Sequence, residues 1–177
     1  VTAVEQLAHL CEGYKSRFIH LSTDFVFDGK MDEHIGQLYT EEDVPAPVNY
    51  YGFTKWKGEE KVAGICSNYA IARVEIVYGK ALAGQHGNIV QLVMNRLKAG
   101  QEIRVVSNQW RTPTYVGDVS NGIQLLIENT TNGIFHICGD ECMTIAEIAY
   151  QVADCLNLDR SLIPVSYTHL TLPTTPY

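Results

Sequence analysis

The sequence of 177 residues lacks any uninterrupted apolar run of about 18 residues, the length that a membrane-spanning helix needs. Its first residues also lack the basic, apolar and small-residue zones of a signal peptide. Positive charge is scarce: 13 Lys and Arg stand against 20 Asp and Glu, and the formal net charge is -7. Nucleic acid and membranes are therefore not expected as partners, and we predict a cytoplasmic protein.

A glycine-rich phosphate-binding turn is missing too. Doubly wound nucleotide-binding folds open with a strand, such a turn and a helix whose N-terminus holds a pyrophosphate. Neither Gly-x-Gly-x-x-Gly nor Gly-x-x-Gly-x-x-Gly occurs, and the chain opens in a helical pattern without an initiator Met. Either the fold is of another kind, or its first half lies upstream of Val1.

Paired metal ligands are lacking as well. The cysteines are Cys11, Cys66, Cys138, Cys142 and Cys155. Their odd number, irregular spacing and mostly apolar surroundings favour reduced thiols in the core. Cys138 and Cys142 are close in sequence, but no second Cys or His pair stands beside them at ligand spacing. We predict no metal site.

What the sequence does contain is an alternation of strand-type and helical patterns. Strands are predicted over residues 17–23, 70–77, 103–106 and 133–138. Helices are predicted over residues 1–13, 48–66, 88–99, 116–127 and from Thr144, where a capping box with Glu147 begins. The polar stretch 28–47 is predicted as an irregular loop. This order indicates an α/β fold with a parallel sheet covered on both faces.

One predicted helix carries two side chains suited to proton transfer. Tyr51 and Lys55 are four residues apart, which puts a phenol and an ammonium on one helix face. A phenol has a pKa near 10, and a neighbouring ammonium that stabilises the phenolate makes it a usable proton donor. Taken alone, the spacing also fits an ordinary solvated contact one turn apart.

Three polar residues, Ser22, Thr23 and Asp24, end the strand-type run before that helix. Ligands bind at the carboxyl ends of parallel strands, so these residues are well placed. The Thr23 hydroxyl can hold a carbonyl oxygen and stabilise a developing alkoxide. Capping of the turn after the strand is the alternative. Together, Thr23, Tyr51 and Lys55 suit carbonyl reduction or alcohol oxidation.

Longer motifs carry a resemblance to a known family. They are HLSTDFVFDG (20–29), YTEEDVPAP (39–47), NYYGFTKWKGE (49–59), ARVEIVYG (72–79), RTPT (111–114) with Asp118, and GIFHICG (133–139). Their order resembles the dTDP-4-dehydrorhamnose reductases of the extended short-chain dehydrogenase/reductase superfamily, over about residues 1–165. The resemblance implies a partial Rossmann-like, doubly wound parallel sheet that lacks its first βαβ half and carries a small C-terminal substrate-binding portion.

The resemblance also divides the chain. Residues 1–80 would be the later half of the nucleotide-binding domain, and residues 81–164 a substrate-binding portion interleaved with the last sheet elements. Residues 165–177 do not resemble this family and are similar to a translated transposase adapter of sequencing libraries, so we predict a non-native tail. A genuine surface strand and tail is the alternative.

The resemblance implies a role for each matching residue. Thr23, Tyr51 and Lys55 correspond to the family's catalytic residues, and Tyr51 would protonate the sugar C4 oxygen while hydride comes from NADPH or NADH. The residues implied in cofactor binding are Ser22, Tyr51, Lys55, Ile76 and Val77. The residues implied in binding a nucleotide-sugar substrate are Asp24, Phe25, Val26, Asn88 and Arg111. A helix cap is the alternative for Asn88, and a surface ion pair for Arg111.

Two departures from the family leave other functions open. Phe25 stands where the family usually has Tyr, and Trp110-Arg111 stand where the rhamnose-pathway reductases more often have a small residue before Pro-Thr. With an Arg at this position, the segment also resembles the regulatory beta subunit of methionine adenosyltransferase. We predict NAD(P)H-dependent reduction of dTDP-4-dehydrorhamnose to dTDP-L-rhamnose. The alternatives are another sugar-nucleotide epimerase or dehydratase, and a non-catalytic nicotinamide-binding regulatory subunit. Asp24 and Phe25 after Thr23 disfavour a dehydratase, which needs an acidic pair, and the intact Thr23, Tyr51 and Lys55 disfavour a purely binding subunit.

The missing glycine-rich turn limits what the chain can do alone. If that turn lies upstream, the chain is expected to bind cofactor poorly and to be inactive by itself. The choice between NADH and NADPH stays open, because the discriminating residue follows the second strand of the fold. A homodimer of the full-length protein is also left open.

Overall fold

The computed structural model describes residues 1–30, 38–80 and 87–166. Within these ranges the helices are α1 (Thr2–Gly13), α2 (Tyr50–Ile65), α3 (Ile89–Lys98), α4 (Val116–Glu128) and α5 (Ile145–Cys155). The strands are β1 (Phe18–Thr23), β2 (Tyr69–Val74), β3 (Val77–Tyr78), β4 (Val105–Val106), β5 (Trp110–Arg111), β6 (Thr114–Tyr115), β7 (Gly133–Ile137), β8 (Met143–Thr144) and β9 (Val165–Ser166). None of these helices has both the length and the apolar character needed to cross a bilayer.

The chain forms two compact units. The first contains Val1–Glu75 and Gly117–Cys138, and the second contains Ile76–Val116 and Gly139–Tyr177. The chain leaves the first unit after Glu75 and returns to it for α4 from Gly117 and for β7. The functional division that the resemblance implies, at residues 80 and 164, stays a prediction.

The first unit is built on a parallel sheet with the strand order β1-β2-β7. In the register of this sheet, Ala72 of β2 lies between Leu21 of β1 and Phe135 of β7. Parallel strands separated by helices are the arrangement that the sequence pattern predicts, so the α/β prediction is confirmed.

Two apolar clusters fix helices to opposite faces of this sheet, because successive side chains of a strand point to opposite sides. On one face, α1 and α2 bury the cluster Ala8, Val62, Cys66 and Ile71. On the other face, α4 contributes Leu126 to a cluster with Ala70 and Ala72. Helices therefore pack on both faces of the sheet, as the apolar strand patterns predict.

The second unit has a core between α3 and α5. Its buried residues are Val93, Leu97, Ile103, Val105, Ala146, Ala149, Val152, Ala153 and Ile163. The predicted capping box opens α5: the Thr144 side chain accepts the N–H of Glu147, and the Glu147 carboxylate accepts the N–H of Thr144 at 2.6 Å. This prediction is confirmed.

The predicted strand 70–77 is interrupted. Ile76 has a φ of +29°, in the left-handed region that β-branched residues rarely adopt. The chain turns there, and Val77–Tyr78 pair instead with β6 in the second unit. One predicted strand therefore forms two strands in two different sheets.

The prediction of core thiols is wrong for three cysteines. Cys66 is buried and Cys11 is partly buried, but Cys138, Cys142 and Cys155 are exposed. Cys138 and Cys142 flank the turn between β7 and β8, and Cys155 is the last residue of α5. None of these three thiols faces a core.

The predicted non-native tail begins within a strand. Val165 and Ser166 form β9 and pair in parallel with Val105 and Val106 of β4. Residues 167–177 lie outside the described residues. The foreign origin of this segment stays a prediction.

Candidate active site

The carboxyl end of β1 is capped by its own last residue. The Thr23 hydroxyl accepts the N–H of Phe25 at 3.3 Å and donates to the Asp24 carboxylate at 2.9 Å. The turn-capping role is therefore present in this structure. A hydroxyl has one proton to donate, so Thr23 must turn away from Asp24 before it can donate to a substrate oxygen.

Ser22 presents an unsatisfied hydroxyl beside Thr23. The residue is 3 % exposed, and within the described residues its Oγ has no hydrogen-bond partner. A buried polar group without a partner costs about 1–3 kcal/mol, so Ser22 is a group that a bound ligand can satisfy.

The 3-10 helix Asp24–Val26 follows directly and holds the three residues predicted to line a sugar pocket. Asp24 and Phe25 are partly exposed, whereas Val26 is fully buried and its carbonyl accepts the N–H of Ala46 at 2.9 Å. The side chain of Val26 therefore packs in the interior under this turn and is not accessible to a ligand in this structure.

The first turn of helix α2 packs against this 3-10 helix. The Asn49 side chain caps α2 by accepting the N–H of Gly52 at 2.7 Å. Gly52 packs so tightly that a Cβ there would lie 2.0 Å from the carbonyl oxygen of Phe25. This close approach brings the Tyr51 ring edge-to-face against the Phe25 ring, with centroids 5.9 Å apart.

Lys55 lies one turn further along α2. Its ammonium donates to the Leu21 carbonyl at 2.9 Å and lies 5.9 Å from the centre of the Tyr51 ring. Tyr51 is half exposed, which leaves the phenol within reach of a ligand. The structure thus brings the predicted Tyr51 and Lys55 together at the end of the strand that carries Ser22 and Thr23.

Sequence reasoning missed a buried ion pair one turn beyond Lys55. Arg73 of β2 donates to both carboxylate oxygens of Glu59, at 3.0 Å through Nε and at 2.7 Å through Nη2. A signal was available, because an arginine inside the apolar run YAIARV needs a buried partner, and Glu59 follows Lys55 at helical spacing.

Two histidines lie on the same face of the sheet. Burial lowers the pKa of His20, and the nearby Lys55 ammonium lowers it further. Burial likewise lowers the pKa of His136. Both lowered pKa values favour the neutral imidazole. The positive charges between α2 and the sheet are therefore those of Lys55 and Arg73.

Four predicted ligand-binding residues, Ile76, Val77, Asn88 and Arg111, belong to the second unit. Asn88 caps α3, since its Oδ1 accepts the N–H of Gln91 at 3.1 Å and its Nδ2 donates to the Gly79 carbonyl at 2.7 Å. Arg111 is partly exposed at the end of β5, where it donates to the carbonyl of Trp110 at 3.3 Å. The helix-cap alternative for Asn88 is therefore present.

Known proteins are similar to this sequence over most of its length. The probable low-salt glycan biosynthesis reductase of Haloferax volcanii is 32% identical over 168 residues, which cover 93% of this chain and 54% of that protein. Methionine adenosyltransferase 2 subunit beta of Danio rerio is 34% identical over 158 residues, which cover 85% of this chain and 47% of that protein. The chain spans about half the length of these curated relatives.

A solved structure shares the fold. The crystal structure of dTDP-4-dehydrorhamnose reductase from Bacillus anthracis in complex with NADP matches with a TM-score of 0.85 and 28% identity, over 95% of this chain and 57% of that chain. The family model described as the RmlD substrate binding domain matches residues 1–175. With nearly the whole sequence matched and the fold shared, the chain belongs to the RmlD substrate-binding-domain family.

Proposed function

We propose that the natural polypeptide to which residues 1–164 belong reduces 4-keto-6-deoxy sugar nucleotides, converting dTDP-4-dehydrorhamnose to dTDP-L-rhamnose with NADPH or NADH. The observation that carries the proposal is the pairing of Tyr51 and Lys55 on α2 at the carboxyl end of β1. The relative from Haloferax volcanii is named a reductase, and the solved relative from Bacillus anthracis holds NADP. Both support nicotinamide-dependent reduction.

Residues of this chain suit a nicotinamide nucleotide. The Leu21 carbonyl takes one N–H of the Lys55 ammonium, which has three, so Lys55 can also donate to ribose hydroxyls. The buried Ser22 hydroxyl gains a partner if the nucleotide lies beside it. Ile76 and Val77 would lie along the nicotinamide. When bound, the reduced nicotinamide supplies a hydride to the carbonyl carbon.

Tyr51 acts as the proton donor in this proposal. It transfers its phenolic proton to the C4 oxygen as the new C–H bond forms, and the Lys55 ammonium stabilises the phenolate that remains. Thr23 turns its hydroxyl away from Asp24 and donates to the same oxygen, which stabilises the charge that develops there.

The remaining predicted residues would bind the nucleotide sugar. Asp24 and Phe25 are partly exposed next to Tyr51 and would contact the sugar. Arg111 would bind the diphosphate, because a guanidinium binds two phosphate oxygens at once. The Asn88 amide has a second N–H beyond the one that it donates to Gly79, and would direct it to the same group.

The test compares two adjacent tyrosines by measuring NAD(P)H oxidation with the 4-keto-6-deoxy sugar nucleotide. Tyr51→Phe removes the proton donor, and we expect kcat to fall by about 10²- to 10⁴-fold. Tyr50→Phe makes the same chemical change at a side chain that is 81% exposed, and is expected to match the wild type. Equal activity of all three proteins would contradict the assignment of Tyr51.

A matched pair of lysines tests the ammonium. Lys55→Met removes the charge beside Tyr51 and is expected to lower kcat, whereas Lys57→Met removes a lysine that pairs with Glu60 on the surface of the same helix. A similar loss in both variants would mean that Lys55 has no special part in the reaction.

The 177-residue chain is proposed to be inactive alone, because it has no glycine-rich turn to hold the pyrophosphate. We expect no turnover by the purified chain and NADPH binding much weaker than that of the natural polypeptide. Equal affinity of the two proteins in a calorimetric titration would overturn this part of the proposal.

A second candidate function follows from the similarity to methionine adenosyltransferase 2 subunit beta, at 34% identity. A nicotinamide-binding regulatory subunit would bind the cofactor without turning over a sugar nucleotide. Cofactor binding by the natural polypeptide, combined with no turnover of any 4-keto sugar nucleotide, would favour this second function.

A further inference from the structure

A buried ion pair joins α2 to the sheet. The side chains of Arg73 and Glu59 are 2% and 4% exposed. Apolar residues of the same volume often stabilise a protein as well as such a pair or better, so stability alone does not account for it. Two parallel hydrogen bonds between a guanidinium and a carboxylate fix distance and orientation together, which apolar contacts do not.

The guanidinium of Arg73 is itself held in place. Its central carbon lies 5.0 Å from the centre of the Phe27 ring, within the range of a cation–π contact. Its Nη1 lies 3.5 Å from Nε2 of His136, the residue paired with Arg73 in β7. The anchor for Glu59 is therefore a side chain with contacts on several sides.

Three contacts at helical spacing hold α2 against β1, β2 and the turn after β1: one close backbone approach and two polar contacts. Gly52 packs against a backbone carbonyl after β1, Lys55 donates to a carbonyl within β1, and Glu59 pairs with Arg73. Beyond Glu59 the same helix face continues with Val62 in an apolar cluster, whose contacts are not directional. The ion pair is thus the last directional contact before the apolar part of the interface.

We propose that Arg73, acting through Glu59, is a positioning residue that fixes where Tyr51 and Lys55 stand at the carboxyl end of β1. The two hydrogen bonds from Arg73 to Glu59 set the distance of α2 from the sheet and its rotation about the helix axis. The inference rests on the proposed role of Tyr51 as proton donor. Arg73 contacts none of the reacting groups in this assignment, so it acts through the helix.

The double variant Glu59→Leu/Arg73→Met tests this positioning. It removes both charges and keeps similar volumes, so the natural polypeptide carrying it is expected to stay folded. We expect kcat to fall about 10- to 100-fold, since a displacement of about 1 Å can reduce the rate by that much. KM for the nucleotide sugar is expected to stay within about threefold, because the proton donation by Tyr51 that a shifted α2 would impair takes place only in the transition state.

Two single variants complete the series. Arg73→Lys keeps the charge but replaces the fork by a single ammonium, and is expected to give an intermediate fall in kcat. Glu60→Gln is the control, because it alters the next carboxylate on the same helix, which pairs with Lys57 at the surface. We expect its kcat to match that of the wild type.

A second readout does not depend on activity. The rings of Phe25 and Tyr51 have centroids 5.9 Å apart, so a nuclear Overhauser effect between them reports the position of α2. We expect this signal to weaken in the double variant and to persist in Glu60→Gln. If the double variant does not fold, Glu59→Gln and Arg73→Lys are subjected to the same two measurements.

The outcomes separate the two proposals. A folded double variant with an unchanged ring contact and kcat within about twofold of wild type would overturn the positioning role. Absence of turnover in the wild-type protein would instead count against the proposed function. The ring contact alone would then decide whether Arg73 positions α2.

Discussion

The two faces of the β1–β2–β7 sheet differ in chemistry, although alternate residues of the same strands build them. The face under α4 packs Ile19, Ala70, Ala72, Phe135 and Ile137 with Leu126. The face under α2 is apolar near the amino ends of the strands and polar towards their carboxyl ends, where it carries His20, Ser22, Arg73 and His136. Strands buried on both faces usually carry continuous apolar runs. The polar residues at the carboxyl ends of these strands therefore indicate that this part of the sheet has a role other than packing.

Breaking the ion pair on the polar face has the largest expected effect. Arg73→Met leaves the Glu59 carboxylate buried without its partner, and we expect the free energy of unfolding to fall by about 3–5 kcal/mol in urea titrations. Adding Glu59→Leu is expected to restore most of this loss. A loss below about 1 kcal/mol would mean that the pair behaves like an exposed one.

A truncation on the apolar face is expected to have a somewhat smaller effect. Leu126→Ala removes a side chain that is 7% exposed, and the cavity is expected to lower the free energy of unfolding by about 2–4 kcal/mol. Leu125→Ala is the control, because Leu125 is 63% exposed on the same helix and its loss should change stability by less than about 0.5 kcal/mol. Equal effects of the two variants would contradict the packing of α4.

Two glycines of α2 sharpen the comparison within the polar face. Gly52→Ala places a Cβ against the Phe25 carbonyl and is expected to destabilise the protein by about 1–3 kcal/mol. Gly64 lies in the same helix, but a Cβ there would have open space around it, so Gly64→Ala is expected to stabilise the protein by about 0.5–1 kcal/mol. Thermal unfolding of both variants measures the difference, and shifts of the same sign would contradict the close seating of α2.

The smallest expected effect is a pH dependence from His20. Burial lowers its folded pKa, so the unfolded chain takes up a proton first as the pH falls. Its contribution to stability is full above the unfolded value near 6.5 and is lost as the pH falls through the folded value. His20→Gln is expected to flatten this dependence between about pH 8 and pH 5. An unfolding free energy that depends on pH in His20→Gln as it does in the wild type would exclude His20 as the source.

Sequence periodicity predicted the long elements well and the short strands poorly. Helices α1 to α5 each present an apolar face or a clear cap, such as Asn88 or Thr144, so their existence follows from local pattern. Six strands have two residues each, too few to show an alternation, and of these only β4 lies wholly within a predicted strand; the six are β3, β4, β5, β6, β8 and β9. The break at Ile76 was missed because a β-branched residue rarely adopts a left-handed φ, so the sequence gives no sign of one there.

The candidate site divides in the same way. The helical spacing of Tyr51 and Lys55, and the position of Thr23 at a strand end, can be derived from sequence and appear in the structure. The pairing of Glu59 with Arg73 has only an indirect signal in the sequence, the arginine within the strand YAIARV. The bond from Lys55 to the Leu21 carbonyl has none, because it depends on how α2 is set against the strands. A single sequence contains no direct measure of that setting.

The loop before α2, which carries the sequence YTEEDVPAP (39–47), also affects one edge of the sheet. Within the described residues β7 is an edge strand, and the Glu41 carboxylate accepts the N–H of His136 at 2.8 Å. That donor would otherwise be open to a strand from another molecule, which is how exposed edges promote aggregation. An incoming strand would have to displace a charged side chain. Glu41 thus protects this position against edge-to-edge association of the protein with itself.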